Sequence, residues 1–324
     1  MKLIIQIPCF NEEQHLPITL AELPRSLPGV DVIEYLVIDD GSTDRTAERA
    51  GELGVQHIVR FPRHRGLARA FVAGLEAAVG ARADIIVNTD ADNQYCAADI
   101  GKLIQPILDG QAEIVIGARP VMQIEHWSPV KKALQRLGSW AVRVASGTHV
   151  ADAPSGFRAM SRNAAMQLRV FNQYTYVLET IIQAGQKDMA VVSVPIRTNA
   201  ELRPSRLIKS IPRYVVRSLL TILRIFITYR PFRFFAIVGG LLFLFGFALG
   251  ARFLVYYFTQ VGAGHVQSLI LAAIFLLMGF MVTIAGVLAD IISVNRRLLE
   301  ELARRVWQLQ QALDDSTRAG RRGE

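Results

Sequence analysis

Only two cysteines, Cys9 and Cys96, occur in 324 residues. That excludes a disulfide framework and every C-x-x-C zinc or redox site. Charged residues are sparse, 20% against 51% hydrophobic, and apolar residues run through nearly the whole length, so most of the chain is not disordered. No internal repeat is visible, and the only low-complexity tract is the polar end, DDSTRAGRRGE. The start, MKLIIQIPCFNEE, carries an apolar run of a few residues, broken by Pro8 and followed by acids. It lacks the longer apolar core and small-residue cleavage site of a secretory signal, so a short buried strand is expected there. A mean hydropathy of +0.28 is high for a soluble enzyme and low for a polytopic transporter. It points to a soluble part joined to a smaller membrane part, about two domains in all, with a core large enough to fold without staples.

The apolar density peaks near the C-terminus. Phe234 to Ala251 is uncharged, then comes Arg252 followed by FLVYYF; Ser268 to Ala289 is a second uncharged run, closed by Asp290. At about 1.5 Å of rise per residue each can cross a hydrocarbon core of roughly 30 Å. Arg252 falls where it can snorkel, and Tyr256 and Tyr257 suit an aromatic belt. The competing reading is a pair of buried helices in a soluble protein. Arg224, Arg230 and Arg233 precede the first run, and Arg296, Arg297, Arg304 and Arg305 follow the second, while the linking TQVGAGHVQ has no Lys or Arg. The positive-inside rule then puts both flanks in the cytoplasm and makes the pair a helical hairpin in the cell (inner) membrane. Before it, Lys209, Arg213, Arg217 and Arg224 line one face of a segment rich in Leu and Ile. That reads as an interfacial helix with its basic face toward lipid phosphates, or as an ordinary amphipathic helix packed on the soluble part. After it, Leu299, Leu302, Val306, Leu309 and Leu313 form a short heptad seam, which either pairs subunits into a homo-oligomer or lies on the hairpin's own base.

Residues 1–205 alternate β-rich runs with helical stretches. Strands are expected at Leu3–Ile7, Val32–Ile38, His57–Phe61, Ile85–Asn88, Glu113–Gly117 and Met189–Ile196. Helices are expected at Thr43–Leu53, Leu67–Val79, Ala98–Leu108, Val130–Ala145 and Thr175–Ala184. Such alternation means an α/β domain with a largely parallel sheet, whose ligands bind beyond the carboxyl ends of the strands. The polar clusters fall at those ends. One is Pro8, Asn11, Glu12 and Glu13. A second is Asp39-Asp40-Gly41-Ser42-Thr43-Asp44, whose last three residues could equally be a turn and a helix N-cap. The third follows DIIVNT: in an extended chain Asp90, Asp92 and Gln94 point the same way and offer three oxygens, as a hard divalent cation prefers. A lone D-x-D is weak; its place after an apolar strand, downstream of DDGSTD, strengthens it.

IPCFNEE, DDGSTD, TDADNQ, IGAR and SGFR, in this order, resemble the family-2 glycosyltransferases of the GT-A fold, over roughly residues 3–206. With the basic segment and the hairpin, the chain is similar to polyprenyl-phosphate sugar transferases of the dolichol-phosphate mannose synthase type. The resemblance implies an enzyme with a mixed, mostly parallel, Rossmann-like sheet that moves a sugar from a nucleotide-diphosphate donor onto a polyprenyl phosphate at the cytoplasmic leaflet, with inversion. It implies that Pro8, Asn11 and Glu12 border the nucleotide, and that Asp40, with Asp39 beside it, contacts base or ribose. Asp90, Asp92 and Gln94 would hold Mg²⁺ or Mn²⁺ against the diphosphate. Asp152 matches an acid near the acceptor, with Ser155 and Arg158 in the same element; Arg119 matches a phosphate-facing arginine. Arg203, Ser205 and Arg206 stand where basic residues close over the phosphates. The family often reads DADLQHP where this chain reads DADNQYC, so Asn93, Tyr95 and Cys96 depart from it. A further phosphate contact falls to Lys131, Lys132 or Arg136.

The expected organisation is therefore a GT-A domain over 1–205, a basic juxtamembrane helix over 206–230, a hairpin over 231–292 (spans about 233–258 and 268–290), and a cytoplasmic helix and tail over 293–324. A phosphate monoester acceptor is largely ionised near neutral pH, so Asp152 is expected to place acceptor and sugar rather than remove a proton. Two other functions compete: transfer to a hydroxyl on a lipid or glycan, which needs a true base, and a non-enzymatic membrane scaffold with a degenerate nucleotide pocket. The cluster Arg60, Arg63, His64, Arg65 and Arg69 has few interleaved aromatics and reads as a diphosphate-facing or solvated loop rather than a nucleic-acid surface. Glu179, in an apolar helix, is either a satisfied buried acid or a sugar contact.

Overall fold

The structure is a computed structural model. It describes residues 1–121, 129–168, 170, 176–199, 230–259 and 266–320, with scattered positions between 216 and 227. It divides into two compact units, Met1–Ile222 and Leu223–Glu324.

In the first unit the order is β1 (Lys2–Cys9), α1 (Leu16–Glu22), β2 (Val32–Asp39), α2 (Thr46–Glu52), β3 (His57–Arg60), α3 (Leu67–Gly80) and β4 (Ile85–Asn88). It continues with α4 (Ile100–Leu108), β5 (Ile114–Ala118), α5 (Pro129–Ser146), β6 (Arg158–Ser161), α6 (Arg162–Gln167), α7 (Tyr176–Gln186) and β7 (Val191–Pro195). The strands form a seven-stranded sheet in the order β3-β2-β1-β4-β6-β5-β7, in which β6 pairs antiparallel with both neighbours and every other pairing is parallel. β1 and β4 read as near-continuous apolar runs because helices cover both faces of the sheet; β4 is buried along its whole length. One core layer gathers Leu3, Ile5, Ile7, Val37, Val87, Leu103, Val115 and Phe157.

Three local differences from the sequence reading have physical causes. β6, four residues that begin at the arginine of SGFR, was not expected as a strand; it is too short to show a period and gains its structure from β4 and β5 on either side. Helix α1, which starts with Pro17 in its first turn, has only seven residues and too little periodicity to stand out. And α2 begins at Thr46 rather than Thr43, because Ser42–Arg45 are tied to the loop after β1.

In the second unit, α8 (Pro231–Phe258) and α9 (Val266–Gly320) pack against each other. Pro231–Phe258 and Val266–Asn295 are each long and apolar enough to cross a membrane. Small residues let the two backbones approach: a Cβ at Gly246 would lie 2.9 Å from the Leu276 nitrogen, and one at Gly239 would lie 2.9 Å from the Gly279 carbonyl oxygen. Leu241, Leu244, Phe247, Leu277 and Met281 remain exposed, unlike the helices of a soluble core. The Arg252 guanidinium lies 5.6 Å from the centre of the Tyr256 ring. α9 does not break near 292. No Gly or Pro occurs between Gly286 and Gly320, so nothing in the sequence stops the helix. Leu299, Leu302, Val306 and Leu309 stay exposed, so α8 does not cover the seam. Most of the expected basic helix, with Lys209, Arg213 and Arg217, lies outside the described residues.

Candidate active site

The parallel register brings the strand ends together. Cys9 of β1 pairs with Asp39 of β2, and Gln6 with Asn88 of β4, so the loops after these strands share one edge. β5 runs the same way and delivers Arg119 there; β6 runs oppositely, so the residues before it, Asp152–Phe157, arrive at that edge too. All five motifs meet where an open α/β sheet binds its ligands.

The loops after β1 and β2 are zipped together. The Asn11 N–H donates to Ser42 Oγ at 2.9 Å, the Glu12 N–H to Thr46 Oγ1 at 2.9 Å, and the Glu13 N–H to Asp44 at 3.2 Å. In return Asn11 Oδ1 accepts the Thr43 N–H at 2.9 Å and Glu13 accepts the Arg45 N–H at 2.9 Å. Asn11 takes a left-handed backbone, φ 54°, as asparagine tolerates. Pro8 is buried at the end of β1, and the buried Glu12 lies 3.1 Å from the His15 ring.

Asp39 and Asp40 are both buried, and the structure shows what they hold. Asp39 accepts the Ser42 N–H at 2.9 Å and faces Arg60 Nε at 3.2 Å. Asp40 accepts the N–H groups of Arg65 at 2.7 Å and Gly66 at 2.9 Å and faces His64 Nδ1 at 2.9 Å. The basic cluster is thus the wall folded over DDGS: a Cβ at Gly41 would overlap the backbone of Arg63 and His64, and the His64 ring lies 4.1 Å from that of Phe10.

The Asp90–Gln94 segment is not extended. β4 ends at Asn88 and a turn follows, with Asn93 left-handed at φ 56°. Asp90, Asp92 and Gln94 keep accessible surface while Ala91, Asn93 and Tyr95 are buried. Burial, then the neighbouring Asp92 charge, pushes the Asp90 carboxyl up to about 7, against the opposing pull of Arg119 and Arg158. The Asp90 carboxylate lies against Gly156, where a Cβ would come within 3.2 Å of Oδ2. The Gly156 N–H donates to the Tyr95 hydroxyl at 3.0 Å, and the Tyr95 ring stacks on Phe157 at 5.0 Å. Burial, then the Asp90 charge, raises the Tyr95 phenol to about 12. On the other side Asn199 donates its N–H to the Gln94 carbonyl at 2.9 Å and its side-chain amide to the Asn93 carbonyl at 3.0 Å. The departure at Tyr95 therefore serves to fasten the turn. Among the described residues no three His, Cys, Asp or Glu side chains group as metal ligands. The donor set at hand is two carboxylates and an amide. An acid whose proton affinity is raised by burial and by a neighbouring carboxylate fits a divalent cation that keeps other positions for phosphate or water.

Asp152 is buried and saturated. Arg119 grips it at 2.7 Å through Nε and 3.1 Å through Nη2, and Gln135 donates to it at 2.8 Å. The Arg119 guanidinium is correspondingly held well above its ordinary range, the acids around it outweighing the effect of burial. Beside this pair a cavity of about 300 Å³ is lined by Arg119, Val121, Gln135, Arg136, Ser139 and Asp152. Gln135 gave no signal in the sequence. Arg158 lies beneath the site rather than in it: fully buried, it donates to the Ser155 carbonyl at 2.6 Å and Thr180 Oγ1 at 2.6 Å, and burial lowers its pKa. Ser155 is buried beside it and Glu179 is buried in α7. Arg203, Ser205 and Arg206 lie outside the described residues.

The family model described as glycosyl transferase family 2 matches residues 4–169. The chain belongs to that family. It is a glycosyltransferase, and its sheet is the GT-A sheet that the motifs implied. The UDP-N-acetylglucosamine–dolichyl-phosphate N-acetylglucosaminyltransferase of Methanococcus voltae is 30% identical, over 59% of this chain and 83% of that one. The undecaprenyl-phosphate mannosyltransferase of Micrococcus luteus is 28% identical, over 60% and 83%. Among solved structures, glucosyl-3-phosphoglycerate synthase of Mycobacterium tuberculosis, in complex with Mn²⁺, UDP and phosphoglyceric acid, superposes with a TM-score of 0.53 at 23% identity, over 68% of this chain and 78% of that one; that likeness is one of fold.

Proposed function

We propose that this glycosyltransferase moves a sugar from a nucleotide diphosphate to a polyprenyl phosphate, with inversion, at the cytoplasmic face of a membrane, assisted by Mg²⁺ or Mn²⁺. Both relatives named above carry a polyprenyl-type phosphate in their names, and the two apolar helices supply an anchor. The observation that carries the reading is the state of Asp152. Its carboxylate is engaged by a bidentate arginine and an amide, so removing a proton would require breaking both. A hydroxyl acceptor needs such a base; a phosphate monoester, already ionised, does not.

In this reading Asp152 fixes the Arg119 guanidinium, and Arg119 with Arg136 faces the acceptor phosphate in the cavity. Asp90, Asp92 and Gln94 hold the cation, which when bound offsets the charge that develops on the departing diphosphate. Arg158 keeps the Ser155 carbonyl in place and adds a fixed positive field below Asp90. The loops zipped around Asn11 and Asp40 shape the nucleotide end. Arg203, Ser205 and Arg206, outside the described residues, are assigned to the phosphates by the family resemblance. The expected domain limits are 1–205, 206–230, 231–292 and 293–324, with both termini cytoplasmic by the arginine flanks. The two named relatives differ in sugar, so this chain's donor is a matter for experiment.

The test offers purified full chain, Mg²⁺ or Mn²⁺ and undecaprenyl phosphate to a panel of sugar nucleotides, with mass spectrometry of the organic phase. A sugar phosphate of the polyprenol that disappears with EDTA or in Asp92→Ala is the expected product. Product on a hydroxyl lipid, or a steep pH–rate dependence that vanishes in Asp152→Asn, would speak for the base-requiring alternative.

A further inference from the structure

Three polar side chains lie in a row across the middle of the sheet. Gln6 of β1 pairs with Asn88 of β4, and Asn88 with Arg158 of β6. Paired residues on neighbouring strands point to the same face, so the three sit side by side, just below the strand ends that carry the site. All three are fully buried. One step back on that face, Ile4, Ile86 and Met160 are buried and apolar. Helix α3 closes over the row: a Cβ at Gly74 would lie 2.5 Å from Gln6 Oε1. Among the described residues neither Gln6 Oε1 nor Arg158 Nε has a hydrogen-bond partner. Burying polar atoms unpaired costs free energy, and an apolar row would fill the same space, so stability alone does not explain this one.

The hydrogen bonds show what the row holds. Gln6 Nε2 donates to Asn88 Oδ1 at 2.8 Å. With its oxygen engaged there, Asn88 turns its amide nitrogen the other way. It donates to the Gly156 carbonyl at 2.9 Å and, more weakly, to the Tyr176 hydroxyl at 3.4 Å. A flipped amide would set oxygen against oxygen at Gly156. The Tyr176 ring is fixed in turn by stacking on Phe71 of α3, with centres 4.0 Å apart. Arg158 holds the preceding carbonyl, that of Ser155, at 2.6 Å. Two successive carbonyls of SGFR are thus pinned to the sheet by side chains, while the Gly156 N–H is pinned to Tyr95 of the turn. Gly156 is also where the segment from Asp152 lies against the Asp90 carboxylate.

We propose that Gln6 and Asn88 are positioning residues for glycosyl transfer: Gln6 orients the Asn88 amide, and Asn88, through the Gly156 carbonyl, fixes the spacing between the Asp90–Gln94 turn and the Asp152–Arg119 pair. The inference rests on the proposed function, in which the turn serves the donor and the pair serves the acceptor. When the row is broken each half keeps its own contacts, and only their relation to each other changes. Misplacing reactants that still bind lowers turnover rather than affinity.

The test uses the full chain with Mn²⁺, the sugar nucleotide that the panel identifies, and whichever acceptor, phosphate or hydroxyl, the wild type uses. Gln6→Met strands Asn88 Oδ1 in the interior and should lower the unfolding midpoint. In the double variant Gln6→Met/Asn88→Leu, apolar groups of similar shape replace both amides, so the midpoint should return toward that of wild type. The Gly156 carbonyl still lacks its donor. In that variant kcat should stay down about ten-fold, with donor KM and Mn²⁺ requirement within about two-fold of wild type. Hydrogen exchange, which needs no substrate, should quicken roughly ten-fold in peptides spanning 152–157 and stay unchanged in β2. Turnover that recovers together with the midpoint would make the row mere packing and overturn the proposal. So would a donor KM that rises in step with the fall in kcat, or unchanged exchange at 152–157. If the double variant does not fold, Gln6→Met decides alone: kcat down about three-fold or more at constant donor KM supports the proposal, and wild-type kcat overturns it. Transfer by the wild type to a hydroxyl and not to polyprenyl phosphate would sink the functional reading without touching this one, which is read from the variants against the wild type.

Discussion

Two pairs of aspartates stand at the same edge of the sheet, and their surroundings differ. Asp39 and Asp40 are ringed by donors: backbone N–H groups from Ser42, Arg65 and Gly66, with Arg60 and His64 close by. Asp90 and Asp92 face each other's charge, and Asp90 is pushed up to about 7 by burial and that repulsion. Asp40 spends its charge on holding a loop, and Asp39 holds the Ser42 turn through one oxygen while the other meets only the Arg60 guanidinium. The second pair sets a buried carboxyl against a neighbouring carboxylate, a repulsion that a bound cation would relieve.

The contrast can be broken in steps. Asp40→Ala leaves two backbone N–H groups and a histidine without their acceptor, and should cost about 3 kcal/mol of stability, read as a lower unfolding midpoint of the detergent-solubilised chain. An unchanged midpoint would move Asp40 out of the structural class. Gly156→Ala places a Cβ 3.2 Å from Asp90 Oδ2 and 3.4 Å from the Tyr176 hydroxyl. Turnover should fall about ten-fold, near 1.4 kcal/mol, with a higher Mn²⁺ requirement and little change in midpoint. Tyr95→Phe keeps the stack on Phe157 but leaves the Gly156 N–H without its acceptor, a loss of about 1 kcal/mol, read as a small drop in midpoint; no change would mean that the ring alone fastens the turn.

A separate prediction concerns Asp99, which is held by Arg197 and Lys102. Burial favours its neutral form, but hydrogen bonds from Arg197 and Lys102 outweigh that and lower its carboxyl to about 2. The folded pKa lies below the unfolded value of about 3.9, so its stabilisation is present above roughly pH 4 and drains away as pH falls toward 2. The unfolding midpoint of the wild type should therefore drop across that window more steeply than that of Asp99→Asn. Parallel curves would show that the Arg197 contact contributes nothing.

Much of this was legible in the residues. Apolar runs placed six of the seven strands, because central strands covered on both faces have few other ways to be written. The hairpin was visible from two uncharged runs alone. What stayed hidden depends on partners distant in sequence. β6 is a strand only because β4 and β5 flank it. Gln135 matters only because α5 turns it onto Asp152. Tyr95 reads as a departure from DADLQHP, yet in three dimensions its hydroxyl receives a backbone N–H from SGFR. Alternation suggested that Asp90, Asp92 and Gln94 share a side, and they do share accessibility, but a turn with a left-handed Asn93 provides it. The resemblance assigns Asp40 of DDGSTD to base or ribose, and the sequence held no sign of the donors that Asp39 and Asp40 meet.

The most direct test is the stability of Asp90→Asn in metal-free buffer, set beside that of Asp40→Asn. If Asp90 carries charge reserved for a ligand, its replacement leaves the unfolding midpoint equal to or above wild type, while glycosyl transfer and Mn²⁺-induced stabilisation are lost. A midpoint that falls as far as that of Asp40→Asn would show that Asp90 is one more structural acid, and the reading of this edge as a catalytic site would fail.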